Sequence, residues 1–334
     1  MLFNRENQGK EEMKSHLGFI YATNSFDNLK TDLLLAEDEM RLLIGDDLFD
    51  KVEEYYQTGP TLEPTPEETM ALMLVPYIQA PMAFYAYRNY ATHGDLAHSE
   101  KGRRILVSEM EKMPFEWMIE RDDQSMLSKA HKLSDRLLTF LERNKGMTFI
   151  NDVWTSKPVY QATKKLFINS AVEFDQVFPI DQSRRFFLKV VPFIREIEQS
   201  VFLSVIGKTG FDALKLEISG ESEMAEDTPA LLSLIRVPLV LYTMGIALHR
   251  LSVEVLPEGI FQNYVPETQT IRAKSVSPIE LKNQVAAGLK SDADNALIKL
   301  QELLSRRSAL ANGSDYTVQD LSESNSVDNK FFSL

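Results

Sequence analysis

Leu33–Val52, LLLAEDEMRLLIGDDLFDKV, is the stretch whose reading decides the fold. Leu33, Ala36, Met40 and Leu43 recur at helical spacing, which predicts an amphipathic helix over 27–43. Gly45 follows where that periodicity stops, and glycine adopts positive φ without a Cβ penalty, so it is expected to end the helix. Asp46 or Asp47 then caps a second helix carrying Leu48, Val52 and Tyr55. The same pattern returns further on. Ile44-Gly45-x-x-x-Phe49-Asp50 becomes Ile206-Gly207-x-x-x-Phe211-Asp212, 162 residues later. That offset also carries Val75-Pro76 onto Val237-Pro238, and Thr65-Pro66 matches Thr228-Pro229 one residue away from it. Asp135-x-x-Leu138-x-x-Leu141 matches Asp294-x-x-Leu297-x-x-Leu300 at an offset of 159. An ordered series of this kind predicts a tandem duplication of one helical unit, and its period is far too long for a solenoid. The expected fold class is therefore mainly α, with two helical units, a small β-hairpin element and extended termini.

Outward from that stretch, the chain reads as an N-terminal arm (1–25), a first unit (26–157), a second unit (158–308) and an extended tail (309–334). Residues 58–66, TGPTLEPTP, are a loop. Thr65 at N-cap, Pro66 at N1 and Glu68 at N3 form a capping box that starts a helix to about residue 90, bent by Pro76 and Pro81. Two helices, 108–121 and 124–144, are expected next, then a helix opened by Pro158. In the second unit Ser183 caps a long helix ending at Gly207, and Thr228 with Pro229 starts another. Residues 253–276 alternate, contain β-branched side chains and turn at Glu258-Gly259, which makes them the β element. A last helix is expected over 278–308. The polar tail finishes in Phe331-Phe332-Ser333-Leu334, so Phe331, Phe332 and Leu334 are candidate partner-binding residues. Tyr87 and Tyr90, on an aromatic helix stripe, are candidates for the same role.

Composition narrows the function classes. The chain has 334 residues, 44% hydrophobic and 25% charged, enough for a sizeable core. No cysteine is present, so disulfides and thiolate metal sites are excluded. The formal net charge of −13 opposes attraction to phosphate backbones. Uninterrupted apolar runs stop well short of the ~18 residues of a membrane span, and no membrane partner is expected. Among the five histidines, His93-x-Asp95-x-x-His98-x-Glu100 is the one ligand-like cluster, and its spacing matches no zinc or iron pattern. Asp46-Asp47 at a helix start is better explained as capping than as acid–base chemistry. No Gly-rich phosphate loop or nucleophile elbow occurs, so no catalytic residue, metal or cofactor is expected and a non-enzymatic role is the default.

Two stretches carry a family resemblance: AEDEMRLLIGDDLFDKVEEYY (36–56) with the helix after it, and LFINSAVEFDQVF (166–178) running into SRRFFLKVVPFIREIEQSVFLSVIG (183–207). They resemble an uncharacterised family encoded by gut Bacteroidetes phages. Each half is also similar to the small helical head–tail connector proteins of tailed phages, which assemble as rings beneath the portal, as in the necks of crAss-like phages. The resemblance implies a virion structural protein made in the host cytoplasm. It would be a neck or connector subunit in a homo-oligomeric ring of twelve, touching the portal and other neck or tail proteins. DNA would pass through the ring without specific binding. The family supplies no catalytic residues. The rival readings are a cytoplasmic helical enzyme with a site around 93–104 and a monomeric helical scaffold.

Overall fold

In the computed structural model, α2 (Lys30–Ile44) and α3 (Asp46–Thr58) are separated by the single residue Gly45. The described residues are 1–18, 25–94, 97–99, 102–104, 115–251, 253–256, 259–262 and 279–311. In chain order α1 (Gly9–Leu17) precedes this pair, and α4 (Pro66–Gly94), a strand pair β1 (Ala97–Ser99) and β2 (Gly102–Arg104), and α5 (Glu116–Arg143) follow it. A connector follows, made of α6 (Thr148–Ile150), a π-helical turn at 151–155 and α7 (Pro158–Lys164). Then come α8 (Ala171–Asp175), α9 (Arg184–Ile197), a π-helical turn at 198–202, and α10 (Leu203–Ile206). Gly207 separates α10 from α11 (Lys208–Ser219), and α12 (Thr228–Arg250), β3 (Val253–Leu256), β4 (Gly259–Gln262) and α13 (Ile279–Ala311) complete the order. The architecture is mainly helical. Both strand pairs are antiparallel, with Ser99 opposite Gly102 and Leu256 opposite Gly259.

Two separate cores form. The first runs from Leu2 to Ile150, packed between α2, α3, α4 and α5, and its helix faces follow the apolar spacing of the sequence: Leu33, Ala36 and Met40 are all buried. The second runs from Leu166 to Leu300 and packs α8, α9, α11, α12 and α13. These limits move the expected unit boundaries. Residues 1–17, expected to be an arm, belong to the first core, because Leu2, Phe3, Met13 and Leu17 are buried there. The Leu2 carbonyl accepts from Gln79 Nε2 at 2.6 Å, and the Arg5 N–H donates to the Tyr56 hydroxyl at 2.9 Å. The second core begins at Leu166 rather than 158.

Other expectations are corrected in detail. A single helix, α5, replaces the expected pair 108–121 and 124–144, since no glycine or proline interrupts 116–143. Thr65 does cap α4, its hydroxyl accepting from the Glu68 N–H at 3.1 Å, and Pro66 is its first residue. Glu68 does not close the box. Its carboxylate instead takes the Thr61 N–H (2.6 Å) and hydroxyl (2.8 Å), pinning the preceding loop. Thr228 makes no cap, because its hydroxyl donates to the Glu217 carboxylate; Pro229 stands in the first turn. Helix α4 continues through Pro76 and Pro81. By length and composition residues Pro66–Ala91 of α4 and the whole of α12 are apolar enough to cross a membrane, although polar residues and prolines interrupt their apolar runs. Both are central core helices, with 67% and 50% of their most apolar windows buried. The remainder of the β element (263–278) and the tail residues Phe331, Phe332 and Leu334 lie outside the described residues.

Candidate functional site

The two cores meet where the end of α5 touches the start of α9. Asp135 makes this junction. Its carboxylate accepts from the Ser183 hydroxyl (2.8 Å) and from the Arg185 N–H (2.8 Å) at the first turn of α9. A carboxylate is favoured there, because the free N–H groups and helix dipole present positive charge. One turn further along α5, the Thr139 hydroxyl oxygen accepts from Arg184 Nε at 3.1 Å. Ser183 also caps its own helix, accepting from the Phe186 N–H at 3.1 Å, as its sequence position led us to expect.

Beside this junction lies a cleft of about 490 Å³. Leu42, Leu138, Trp154, Phe187 and Val191 give it an apolar wall, while Glu142, Lys157, Lys164, Arg184 and Arg195 supply charge. Glu142 is the hub of the polar side. The Tyr160 hydroxyl donates to it at 2.9 Å, and the Lys164 ammonium stands 3.4 Å away. Burial pushes the Tyr160 hydroxyl far above its ordinary range and pulls the Lys164 ammonium down, against the attraction of Glu142. A tyrosine held this way is a fixed donor, suited to positioning and not to proton abstraction. Lys157 spans from the connector to Asp47 at 2.6 Å, tying the first helical pair to the same place.

His131, one turn before Asp135 on α5, lies against the Tyr85 ring (centroids 6.1 Å). Burial, with Arg185, Lys189 and Arg88 nearby, lowers its pKa to about 4, although Asp135 opposes the shift. A depressed folded-state pKa gives stability that is present above the unfolded value near 6.5 and lost as pH falls toward 4. With its partial exposure discounted, the loss is on the order of 1–2 kcal/mol. Denaturation midpoints measured from pH 7 to pH 4 should therefore fall less steeply in His131→Gln than in the wild type. Parallel curves would refute the assignment.

Of the residues singled out from sequence, Gly45 and Gly207 adopt nearly identical conformations, φ 87° and ψ 151° against φ 78° and ψ 151°. Each ends one helix and precedes the next. The positive φ is the expected one, and the observed ψ, well away from the left-handed helical region, places both in a region that is essentially glycine-only. Tyr87 and Tyr90 are half-buried against the first core, with their rings 6.3 Å apart. His93 is exposed at the end of α4 and His98 is in β1, while Asp95 and Glu100 lie outside the described residues. No group of three or more potential metal ligands occurs among the described residues.

Sequence reading missed two buried charges. Glu198 is 2% exposed, accepts from the Phe167 N–H (2.6 Å) and pairs with Lys215 Nζ at 2.6 Å. Burial pushes the Glu198 carboxyl up and the Lys215 ammonium down, and their mutual attraction opposes both. Lys215 also sits over the Phe167 and Phe211 rings, at 4.0 and 5.2 Å. In the first core Glu37 is buried and pairs with Arg41 at 2.9 Å, and the Arg41 guanidinium lies 4.3 Å from the Phe49 ring. The available signal was a glutamate in an apolar helix register: Ile194, Glu198 and Phe202 at spacings of four, and Leu33, Glu37 and Ile44 in the other helix.

The sequence model of one family, described as a family of unknown function (DUF6712), matches residues 40–162 and 203–318. No curated protein and no solved structure matches the chain.

Proposed function

The chain belongs to the DUF6712 family, and we propose that it is a tandem duplication of one connector-like helical unit, acting as a virion structural protein in a head–tail connector or neck ring. The observation that carries the proposal is the repeated order of elements. Helix, single glycine, helix, proline-started helix, strand pair and long helix occur once over 30–143 and again over 184–311. Further likenesses support the doubling. Gly45 and Gly207 share one glycine-only conformation. In each half a buried glutamate is neutralised by a cation lying over Phe49 or Phe211. Glu198 stands one residue further from its glycine than Glu37 does, and the π-helical turn at 198–202 absorbs that residue. The Asn4 and Asn169 N–H groups donate to Glu12 (2.6 Å) and Glu173 (3.1 Å), opening both halves alike. The two family segments begin at 40 and 203, close to the 162-residue offset.

The doubled unit is built for assembly. Its polar hubs, Asp135 and Glu142, hold helices together, and the chain's net charge of −13 suits a channel wall past which DNA slides without adhering. The partners of such a ring are further copies of the chain, twelve in the expected ring, with the portal protein and other neck or tail proteins above and below. Native mass measurement with negative-stain imaging tests the reading. The expected result is a closed ring with a mass near twelve times 38.1 kDa. A monomer at micromolar concentration would overturn it.

A further inference from the structure

Four large apolar side chains stand in the open at the start of α5. Phe115 is 68% exposed, Trp117 46%, Met118 42% and Ile119 38%. Full burial on this helix begins only at Met126. An exposed apolar cluster of this size marks an interaction site. Residues 115–123 also hold Glu116, Glu120, Asp122 and Asp123 against the single Arg121, so the apolar end is acidic. The cleft beside the junction has the opposite character. Its charged lining is Asp47, Glu142, Lys157, Lys164, Arg184 and Arg195. Lys157 pairs with Asp47 and Lys164 with Glu142, which uses both carboxylates. Among the described residues, Arg184 and Arg195 have no carboxylate within ion-pair distance, and Arg184 donates only to the Thr139 hydroxyl oxygen. These two arginines are about three helical turns apart on α9, so with Phe187 and Val191 between them they form one stripe down the cleft wall.

We propose that the aromatic end of α5 in one copy of the chain plugs this cleft in the next copy, Phe115 and Trp117 meeting the apolar wall while the acidic residues around them meet Arg184 and Arg195. The inference rests on the ring reading above and specifies which surfaces meet. Charge complementarity selects the occupant, an acidic apolar plug for a cleft that carries two surplus cations in a chain of net charge −13. Aromatic side chains seated in a pocket carry much of an interface's energy, and the cleft volume of about 490 Å³ is in the range of pockets that bury most of a drug-sized ligand. Plug and socket lie toward opposite ends of one helix. Leu138 and Glu142 of α5 line the cleft, and at 1.5 Å per residue Leu138 is about 32 Å from Trp117 along the unbroken helix. The plug therefore cannot enter the cleft of its own chain. Each contact leaves one free plug and one free socket, and head-to-tail contacts of this kind close into rings when the rotation permits.

The chain contains no cysteine, so introduced thiols report without background. Leu42→Cys at the cleft and Met118→Cys on the plug are made separately in the full-length chain; both side chains are exposed, and unchanged melting temperatures verify the fold. Mixed and treated with a short bismaleimide, the two single variants should give a linked dimer roughly tenfold or more above either variant alone. Arg195→Glu, added to the Leu42→Cys chain at an exposed position, should lower that yield several-fold. Trp117→Asp, also at an exposed position, should keep the melting temperature and lose the ring in native mass measurement. The contact is overturned if the mixture links no more than the separate variants, or if Trp117→Asp still assembles, while the wild type runs as a ring; either outcome leaves the ring reading standing. A yield undiminished by Arg195→Glu overturns it equally. A wild-type chain that runs as a monomer removes both inferences together.

Discussion

Glu198→Leu is expected to cost about 3–5 kcal/mol of folding stability, enough to leave the second half unfolded at moderate temperature. The substitution does two separate things. It strands the Lys215 ammonium, on a side chain only 18% exposed, against the Phe167 and Phe211 rings with no counter-charge. It also leaves the Phe167 N–H without its acceptor, a buried donor worth about 1–3 kcal/mol on its own. Second substitutions separate the two. Glu198→Leu with Lys215→Met removes the stranded charge and keeps the orphaned N–H, so it should recover roughly half of the loss. Glu198→Gln with Lys215→Met restores an amide oxygen to Phe167 and turns the amide N–H groups toward the rings, so it should recover most of the loss. Denaturant midpoints of the three variants and the wild type check the order. Equal stability of Glu198→Leu and its Lys215→Met double would mean that the pair is not a buried ion pair.

Regular features were legible because their causes are local. Apolar spacing located α2, α4 and α12, and proline at the start of a helix needs no long-range partner. Failures came where tertiary contacts decide. Leu2 and Phe3 form too short an apolar run to announce a core element, and their segment is held by Gln79 on the Leu2 carbonyl and by Tyr56 on the Arg5 N–H, 77 and 51 residues away along the chain. Thr228 has the sequence of a cap, yet Glu217 offers its hydroxyl a charged acceptor and the cap is not made. Asp135 was visible only as part of a repeated spacing; its role at the junction requires Ser183 and Arg185 from the other half. The buried charges are the clearest case. In one half the cation comes from the glutamate's own helix, Arg41, and in the other from the helix beyond the glycine, Lys215. A charge kept in space while its residue moves along the sequence has no signature in spacing. The cleft is likewise assembled from α2, α5, the connector and α9, which no single stretch contains.

Gly45→Ala and Gly207→Ala are each expected to destabilise the chain by about 2–3 kcal/mol, with valine worse, because the cost is set by backbone conformation. A Cβ built on either glycine meets no atom within 4 Å, so crowding contributes nothing. What an L-residue meets is its own backbone, at φ 87° and ψ 151° in one case and φ 78° and ψ 151° in the other. The conformation cannot relax cheaply. The Gly45 N–H donates to the Arg41 carbonyl (2.8 Å) while its carbonyl accepts from the Phe49 N–H (3.2 Å), and Gly207 makes the same two bonds to Leu203 (3.1 Å) and Phe211 (2.9 Å). Each glycine thus closes the helix before it and opens the helix after it, and rotating φ negative breaks one of the two. Gly288 supplies the control. It is exposed within α13, has no atom within 4 Å of a built Cβ and no positive φ, so Gly288→Ala should stabilise by up to about 1 kcal/mol. One chemical change therefore has opposite signs at positions that are equally open in space. Chemical denaturation of the three single variants measures the difference, and a neutral Gly45→Ala or Gly207→Ala would show that the corner tolerates a side chain and that backbone strain does not fix the turn between the paired helices.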